Sequence, residues 1–285
     1  MKPFQKNQPL SEYSTFGIGG KARLFTSVDS IEELQKVLKY CHEYQVPFLV
    51  IGKGSNFLFD DQGFDGLVIQ NKISFCKFRE DGVEVGAWYS FSLLGSQTAR
   101  KGFSGLEFAS GIPGSVGGAV FMNAGACGSE VCNVIEEVVA IDPEGNLHHL
   151  KKGDLQFSYR WSCFHENRWV VAAASFRLTR SRDAREKQLS ILEKRMKSQP
   201  YSEKSCGCVF RNPKEESAGA LIERCGLKGA KRGGAEVSTL HANFIINTGG
   251  ASAEDVRSLA EYVKQQVKEQ KGIELEMELR SVVSS

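Results

Sequence analysis

The sequence predicts an α/β (α+β) fold, on three observations. A strand-helix-strand order opens the chain: Ala22-Arg23-Leu24-Phe25, then apolar residues at helical spacing from Ile31, then the apolar run Pro47-Phe48-Leu49-Val50-Ile51. Glycine-dense loops stand at Gly52–Asn56, directly after that run, and at Gly105–Ala126. The composition is globular: 285 residues, 41% hydrophobic and 25% charged, enough for one large domain or several smaller ones with real cores.

The same composition excludes several classes. A net charge of +2 gives no global field for nucleic acid or a membrane surface. No apolar run approaches the ~20 residues of a membrane span, and the start, MKPFQKNQPL, lacks the apolar core of a signal peptide. The eight cysteines therefore read as reduced thiols of a cytoplasmic protein. Cys206-Gly207-Cys208 is too tight for a zinc pair, and the histidines show no ligand spacing around the cysteines, so no metal is expected.

In order, Ser14–Gly20 is a turn. Ser30-Ile31-Glu32-Glu33 is a capping box for a helix whose inward face is Ile31, Leu34, Val37, Leu38 and Cys41. Val46-Pro47 ends it. The loop Gly52-Lys53-Gly54-Ser55-Asn56 has the glycines of a dinucleotide fingerprint, but position 57 is Phe and the next strand ends Val68-Ile69-Gln70-Asn71 without an acid, so it is not a Rossmann motif. Its N–H groups, hydroxyl and carboxamide suit phosphate oxygens; a hairpin turn fits the loop equally well. Gly66–Ile69 is a strand, Phe75–Phe78 and Val83–Trp88 flank the turn Glu80-Asp81-Gly82, and Ser90–Arg100 is a helix with Phe91, Leu94 and Ala99 on one face.

Gly105–Ala126 has glycines at 105, 111, 114, 117, 118 and 125, with Pro113, Ser115 and Asn123, and Glu107 as its one charge. Glycine loses the most backbone entropy on folding, so this density needs a cause: a backbone pressed on a large ligand, with bare N–H groups cradling phosphate, or a turn between strands. A hairpin about Asp142-Pro143-Glu144-Gly145, the segment Phe157–Trp161 and a strand Trp169–Leu178 follow. Thr179–Lys197 is highly charged, with apolar residues at 189, 191, 192 and 196, and reads as an amphipathic linker helix; Asp183, Glu186 and Glu193 make its charged side a solvated face, not an RNA site. Ser205–Pro213 is a loop, Ala218–Arg224 a helix closed by Gly226, Phe244–Asn247 a strand, and Ser252 caps a helix through Lys271. Ile273–Val283 is a last strand that alternates Glu274, Glu276 and Glu278 onto one face.

With these segments placed, the chain resembles the UDP-N-acetylenolpyruvoylglucosamine reductase (MurB) family, in its type II branch. The resemblance rests on STFGIGG at 14–20, IGKGSNFL at 51–58, GLEFASGIPGSVGGAVFMNAGACGSE at 105–130, YR at 159–160, GCVFRNP at 207–213, HANFIIN at 241–247 and LEMELR at 275–280. It implies an FAD-binding domain of the vanillyl-alcohol-oxidase (PCMH) type in two subdomains, 1–70 and 71–180, and a linker helix with a smaller α+β substrate domain at 181–285. Dissociable FAD would be held by Gly52, Lys53, Gly54, Ser55 and Asn56, by Gly111, Ile112, Pro113, Gly114, Ser115, Gly117 and Gly118, and by Asn123, Gly125 and Ala126.

The implied reaction is NADPH-dependent. Hydride from reduced FAD reaches the enolpyruvyl ether of a UDP-sugar, giving UDP-N-acetylmuramate for peptidoglycan. By the resemblance Arg160 meets the enolate charge, as a guanidinium meets a carboxylate at two points, and Glu278 polarises the enolate or orients the proton donor. The family's serine in GSxFKNP is here Cys208. A thiol, with an ordinary pKa near ~8.5, donates a proton at neutral pH far more readily than a hydroxyl, so Cys208 is the expected donor. Tyr159, Arg211, Asn212, His241 and Asn243 are the expected substrate contacts. The expected partner is the small-molecule UDP-sugar, with no nucleic acid and no membrane, and a monomeric protein. Another FAD oxidoreductase of this fold, or a flavin-binding paralogue without activity, is the alternative.

Overall fold

The computed structural model describes residues 2–214 and 216–282. Strands β1 (Gln5–Pro9) and β2 (Lys21–Val28) precede helix α1 (Ile31–Glu43). Strands β3 (Phe48–Ile51), β4 (Phe57–Phe59), β5 (Phe64–Asn71), β6 (Cys76–Arg79) and β7 (Gly82–Gly86) lead to α2 (Phe91–Arg100) and α3 (Val116–Phe121). Next come β8 (Ile135–Ile141), β9 (Leu147–Lys151), β10 (Val170–Arg177), α4 (Ala184–Ser198) and α5 (Ala218–Arg224). The chain closes with β11 (Ala235–Val237), β12 (Ile245–Asn247), α6 (Ala253–Lys271) and β13 (Arg280–Val282).

These residues form two compact units that are not contiguous in sequence. The first comprises the residues up to Gln5, Leu24–Lys53 and Gly66–Arg195; the second comprises Lys6–Arg23, Gly54–Asp65 and the residues from Met196 on.

In the first unit β3 runs parallel to β5, Phe48 opposite Leu67. Helix α1 packs on these strands through Leu34, Val37, Leu38 and Cys41, all buried. Half of the capping box predicted at Ser30 is present: its hydroxyl accepts the Glu33 N–H at 3.1 Å, but the Glu33 carboxylate accepts the Asp29 N–H at 3.0 Å instead of that of Ser30. A five-stranded antiparallel sheet, ordered β9-β8-β10-β7-β6, is apolar on both faces. Along β10, Val170 and Ala172 face the α1 core while Val171, Ala174 and Phe176 face a core with Phe91, Leu94, Val116 and Val120 of α2 and α3. The parity changes because the β8–β10 register slips between Val139 and Ala140, and an extra residue in one strand turns the following side chains to the other face.

The second unit builds a core of Phe16, Leu58, Val209, Phe210, Leu221, Val256, Leu259 and Val263 around α5, α6 and the sheet of Lys231–Arg232, β11 and β12. Strand β13 pairs in parallel with β4, Arg280 opposite Phe57. The early segments enter this core through Phe16, Ile18 and Leu58 and are tied to it by polar contacts as well. Asp61 accepts the Ala253 and Glu254 N–H groups at 2.8 and 3.3 Å, Asp60 pairs with Arg257 at 3.0 Å, Thr15 donates to the Ser205 carbonyl at 2.7 Å, and Asn247 donates to the Phe16 carbonyl at 3.0 Å. The first turn of α6 is thus closed by Asp61 as well as by the reciprocal Ser252–Asp255 cap.

Two expectations change. The last strand spans Arg280–Val282 among the described residues, not 273–282; Val283 lies outside them. The expected alternation persists, with Leu275 and Leu279 buried and Glu274 and Glu276 exposed, but the hydrogen bonds of this stretch go to the irregular segment 209–211 and make no regular ladder. In α4 the expected apolar face is not the buried one: Leu189 and Met196 are exposed, and Ala184 and Gln188 are the buried residues. That helix is held by polar contacts, Arg195 to the Gly111 carbonyl at 3.1 Å and Lys187 to Glu107 at 4.0 Å. No helix among the described residues is long and apolar enough to cross a membrane.

Asp61→Ala removes two acceptors from the α6 terminus and is expected to cost about 1 kcal/mol in urea unfolding. Backbone N–H donors hold Asp60 (from Gln62, with Arg257 adding to the effect) and Asp255 (from Ser252 and Gly234) below the usual carboxylate range. Groups depressed in the folded state stabilise it above their unfolded pKa, so stability falls as pH drops below about 4. A urea midpoint flat from pH 6 to pH 3 contradicts this.

Candidate functional site

The residues singled out by sequence fall into two groups, one in each unit. In the first unit, Gly52 lies against the glycine-rich stretch. A Cβ on Gly52 would stand 2.3 Å from the Ser115 hydroxyl, and that hydroxyl caps α3 by accepting the Gly118 N–H at 3.3 Å. Only a residue without a side chain fits there. Gly111 and Gly114 take positive φ of 81° and 126°, turning the chain about Ile112-Pro113. Gly111 donates to the Ser92 hydroxyl at 2.8 Å and Gly117 to the Ala87 carbonyl at 2.8 Å, so the stretch is pinned on both sides. Lys53 lies over the Trp88 ring at 5.7 Å, and burial pulls its ammonium below the usual lysine range. Glu107, the one charge of the stretch, is buried. Burial raises its carboxyl, but donation from Ser104 (2.6 Å) and the Gly105 N–H (2.7 Å) outweighs this and leaves it below the usual range. It is a strut for the loop.

Arg160 sits on the turn of the small hairpin Phe157–Ser158 with Trp161–Ser162. Its φ is 56°, its guanidinium donates to the Gly125 carbonyl at 2.9 Å, and it lies over the Tyr159 ring at 4.8 Å. Gly125 and Ala126 pair in turn with Glu130 and Ser129. Asn123, expected to face a cofactor, is fully buried with both ends of its carboxamide engaged: Nδ2 donates to the Ser158 carbonyl at 2.9 Å and Oδ1 accepts the Cys132 N–H at 3.0 Å. It secures the turn that carries Arg160.

In the second unit, Gly54 has φ 66°, and a Cβ there would stand 1.8 Å from the Tyr13 carbonyl oxygen. Ser55 follows, and Asn56 donates to the Glu278 carbonyl at 3.4 Å while its own carbonyl accepts the Arg280 N–H at 3.2 Å. Cys208 and Glu278 are brought together by one peptide: the Val209 carbonyl accepts the Glu278 N–H at 2.8 Å and the Leu279 N–H at 3.3 Å. Arg211 donates its N–H to the Glu276 carbonyl at 2.8 Å, and its guanidinium is 3.7 Å from the Glu276 carboxylate. Asn212 Oδ1 accepts the Ala218 N–H at 3.0 Å. His241 packs edge-on against Phe244, and its Nδ1 accepts the Asn243 N–H at 3.3 Å. Asn243, expected to touch substrate, is buried with both ends of its carboxamide on Phe210.

Two functional candidates, Ser110 and Arg280, escaped the sequence reading, as did one feature of Arg211. Ser110 Oγ and Arg211 Nε, like Gln188 Nε2, are buried with no hydrogen-bond partner among the described residues. Ser110 offered no signal beyond its place before Gly111, and Arg211 was named without this feature. Arg280 lies over Phe57 at 5.3 Å, and burial pulls its guanidinium below the usual arginine range. Its signal was available: a lone cation two residues beyond Glu278 in the same alternating stretch.

Among known proteins, residues 22–151 match the FAD binding domain model, and residues 199–282 match the model of the UDP-N-acetylenolpyruvoylglucosamine reductase C-terminal domain. A UDP-N-acetylenolpyruvoylglucosamine reductase of Protochlamydia amoebophila is 54% identical over 280 residues, covering 98% of this chain and 94% of that one. One of Chlamydia muridarum is 49% identical over 279 residues, with 98% and 94% covered. The crystal structure of UDP-N-acetylenolpyruvylglucosamine reductase (MurB) from Thermus caldophilus superposes with a TM-score of 0.84 at 35% identity, covering 98% and 99% of the two chains.

The Gly52–Ser115 contact has a direct test by thermal unfolding. Ser115→Ala alone is expected to cost about 1 kcal/mol as a lost cap. Gly52→Ala should destabilise the native chain clearly more than it destabilises the Ser115→Ala variant, where the opposing oxygen is gone. Equal effects on both backgrounds contradict the contact.

Proposed function

The chain belongs to the UDP-N-acetylenolpyruvoylglucosamine reductase family, and we propose that it reduces the enolpyruvyl ether of UDP-N-acetylglucosamine enolpyruvate to UDP-N-acetylmuramate with NADPH. Its fold is an FAD-binding domain of the PCMH type with the family's C-terminal domain. The observation that carries the reading is the hydrogen-bonded docking of Cys208-Val209-Phe210-Arg211 on Glu276–Leu279. It joins a candidate acid to a candidate carboxylate from distant parts of the chain.

The residues present suit FAD. The Gly52–Ser115 contact leaves bare backbone at two loops, Lys53 supplies a cation, and Ser110 Oγ is an unclaimed buried polar atom. Gly52–Asn56 and Gly111–Gly118 would hold the pyrophosphate and ring system, and the bound cofactor supplies the hydride. It is non-covalent in this reading, since 51–58 has neither histidine nor cysteine.

Arg160 meets the negative charge that develops on the substrate carboxylate, its guanidinium aimed by the Gly125 carbonyl and the Tyr159 ring. Cys208 donates the proton that completes the lactyl ether, as a thiol just beyond Gly207. Glu278 orients that donor or polarises the enolate, its backbone fixed on Val209. Arg211, whose Nε has no partner among the described residues, Asn212, Tyr159 and His241 meet the substrate's anionic and polar groups. Asn123 and Asn243 serve by holding the segments of Arg160 and Cys208. We take the enzyme to act as a monomer in the cytoplasm.

Purified protein should show oxidised-flavin bands that NADPH bleaches and the enolpyruvyl UDP-sugar restores. In rapid mixing, Cys208→Ala should slow flavin reoxidation by the sugar roughly 100- to 10,000-fold while leaving reduction by NADPH near wild type. Cys208→Ser should keep more activity than Cys208→Ala. Wild-type reoxidation in Cys208→Ala removes Cys208 from the mechanism, and failure of NADPH and the sugar to turn over favours the inactive paralogue.

A further inference from the structure

We propose that Asn243 is the positioning residue of Cys208: a buried carboxamide that sets where the thiol stands and, with it, the face from which the proton is delivered. The proposal rests on the reading of Cys208 as the donor. Asn243 is 2% exposed, and a carboxamide so far from water is tolerated when its polar atoms are bonded. Both ends of the amide go to a single residue. Oδ1 accepts the Phe210 N–H at 2.9 Å, and Nδ2 donates to the Phe210 carbonyl at 2.8 Å. The side chain thus stands in for a neighbouring strand, offering an acceptor and a donor at the spacing of one residue's main chain. The main-chain carbonyl of Asn243 adds a third bond, from the Val209 N–H at 2.9 Å.

These bonds act on the two residues directly after Cys208. On their other side, Val209 accepts from Glu278 and Leu279, and Arg211 donates to Glu276. The segment is therefore gripped from both flanks, by Asn243 on one and by the Glu278 stretch on the other. Before Cys208, Gly207 with φ 80° turns the chain away from the buried Cys206; after it, the bonds to Asn243 fix the chain on the Val209–Phe210 side. Asn243 is itself fixed, its N–H on His241 Nδ1 and the next residue's N–H on the His241 carbonyl. Truncating it leaves the Phe210 N–H and carbonyl unpaired beneath the catalytic segment, and the segment moves to find partners.

A displaced donor has a chemical signature that a loss of packing does not produce. Protonation of the enolate carbon creates a stereocentre. With Cys208 in place the proton arrives from one face; with it displaced, water competes from either face. Asn243→Ala is expected to leave flavin reduction by NADPH near wild type, to slow reoxidation by the enolpyruvyl sugar about 100-fold, and to yield a measurable fraction of the epimeric lactyl ether. On a Cys208→Ala background the same change should alter reoxidation by no more than about twofold. Without substrate, alkylation of Cys208 by iodoacetamide, followed by peptide mass, should quicken in Asn243→Ala. Asn243→Asp keeps the volume and the acceptor for Phe210 but sets an oxygen against its carbonyl; it should fall between, and it serves if Asn243→Ala does not fold. A single epimer at wild-type rate overturns the proposal. So does equal slowing of both half-reactions, an undiminished effect on the Cys208→Ala background, or an unchanged alkylation rate. Wild-type reoxidation in Cys208→Ala alone instead overturns the donor reading, and this proposal falls with it.

Discussion

The Val209 carbonyl is the acceptor that ties the Cys208 segment to the Glu278 stretch in the second unit. It takes the Glu278 N–H, while the N–H of the same peptide, on Phe210, goes to the carboxamide of Asn243 and the preceding N–H, on Val209, to its main-chain carbonyl. A carbonyl at this depth has to be paired, so the bond both satisfies the backbone and fixes the separation of Cys208 and Glu278. The surrounding packing follows. Val209 and Phe210 are buried in the core of α5 and α6, and Leu275 and Leu279 enter it from the other side of the pairing. The half-exposed Cys208 is thereby held at the edge of a rigid apolar core, where a small shift of the backbone would strand buried polar groups.

In the first unit, order comes from close backbone approach. Gly52 meets the hydroxyl that caps α3, Gly111 is tied to Ser92 in the helix before it, and Glu107 braces the start of the stretch from below. Arg160 is aimed by a carbonyl of that same stretch, and Asn123 holds the hairpin in which Arg160 turns. The loop and the cation therefore share one support, and disturbance of the glycine stretch is transmitted to Arg160 through Gly125.

Local signals were legible in the sequence, and long-range polar ones were not. The caps at Ser30 and Ser252 depend on residues three positions away and could be read directly. The Asp142-Pro143-Glu144-Gly145 turn and the inward face of α1 were equally local. Nothing near Asp60-Asp61 announces that these carboxylates close the first turn of a helix beginning at Ala253, so the passage of 54–65 into the second unit was hidden. Helix α4 misled for the same reason. Its leucines suggested a buried stripe, but its inward side is set by Arg195 on a carbonyl and by the buried Gln188. At the site, family motifs named Cys208, Arg160 and Glu278. That Asn123 and Asn243 face inward as struts depends on which main-chain groups lie opposite them, and only folded coordinates carry that.

The two cysteines of the Cys206-Gly207-Cys208 run show how one residue of spacing separates two kinds of thiol. Cys206 is buried, and burial alone pushes its thiol far above the ordinary range. Such a group stays protonated and unreactive and behaves as a small apolar side chain. Cys208 is partly exposed, beyond a glycine whose positive φ turns the chain between the two. The residues that follow this thiol, Val209 and Phe210, are held by hydrogen bonds to Asn243, and the proposed role of proton donor requires such placement. Serine would meet the same geometric demands with a weaker acid. In the proposed mechanism, cysteine in place of serine changes the chemistry of the donor while leaving the requirement for its placement, and that requirement falls on Asn243 and the Glu278 stretch.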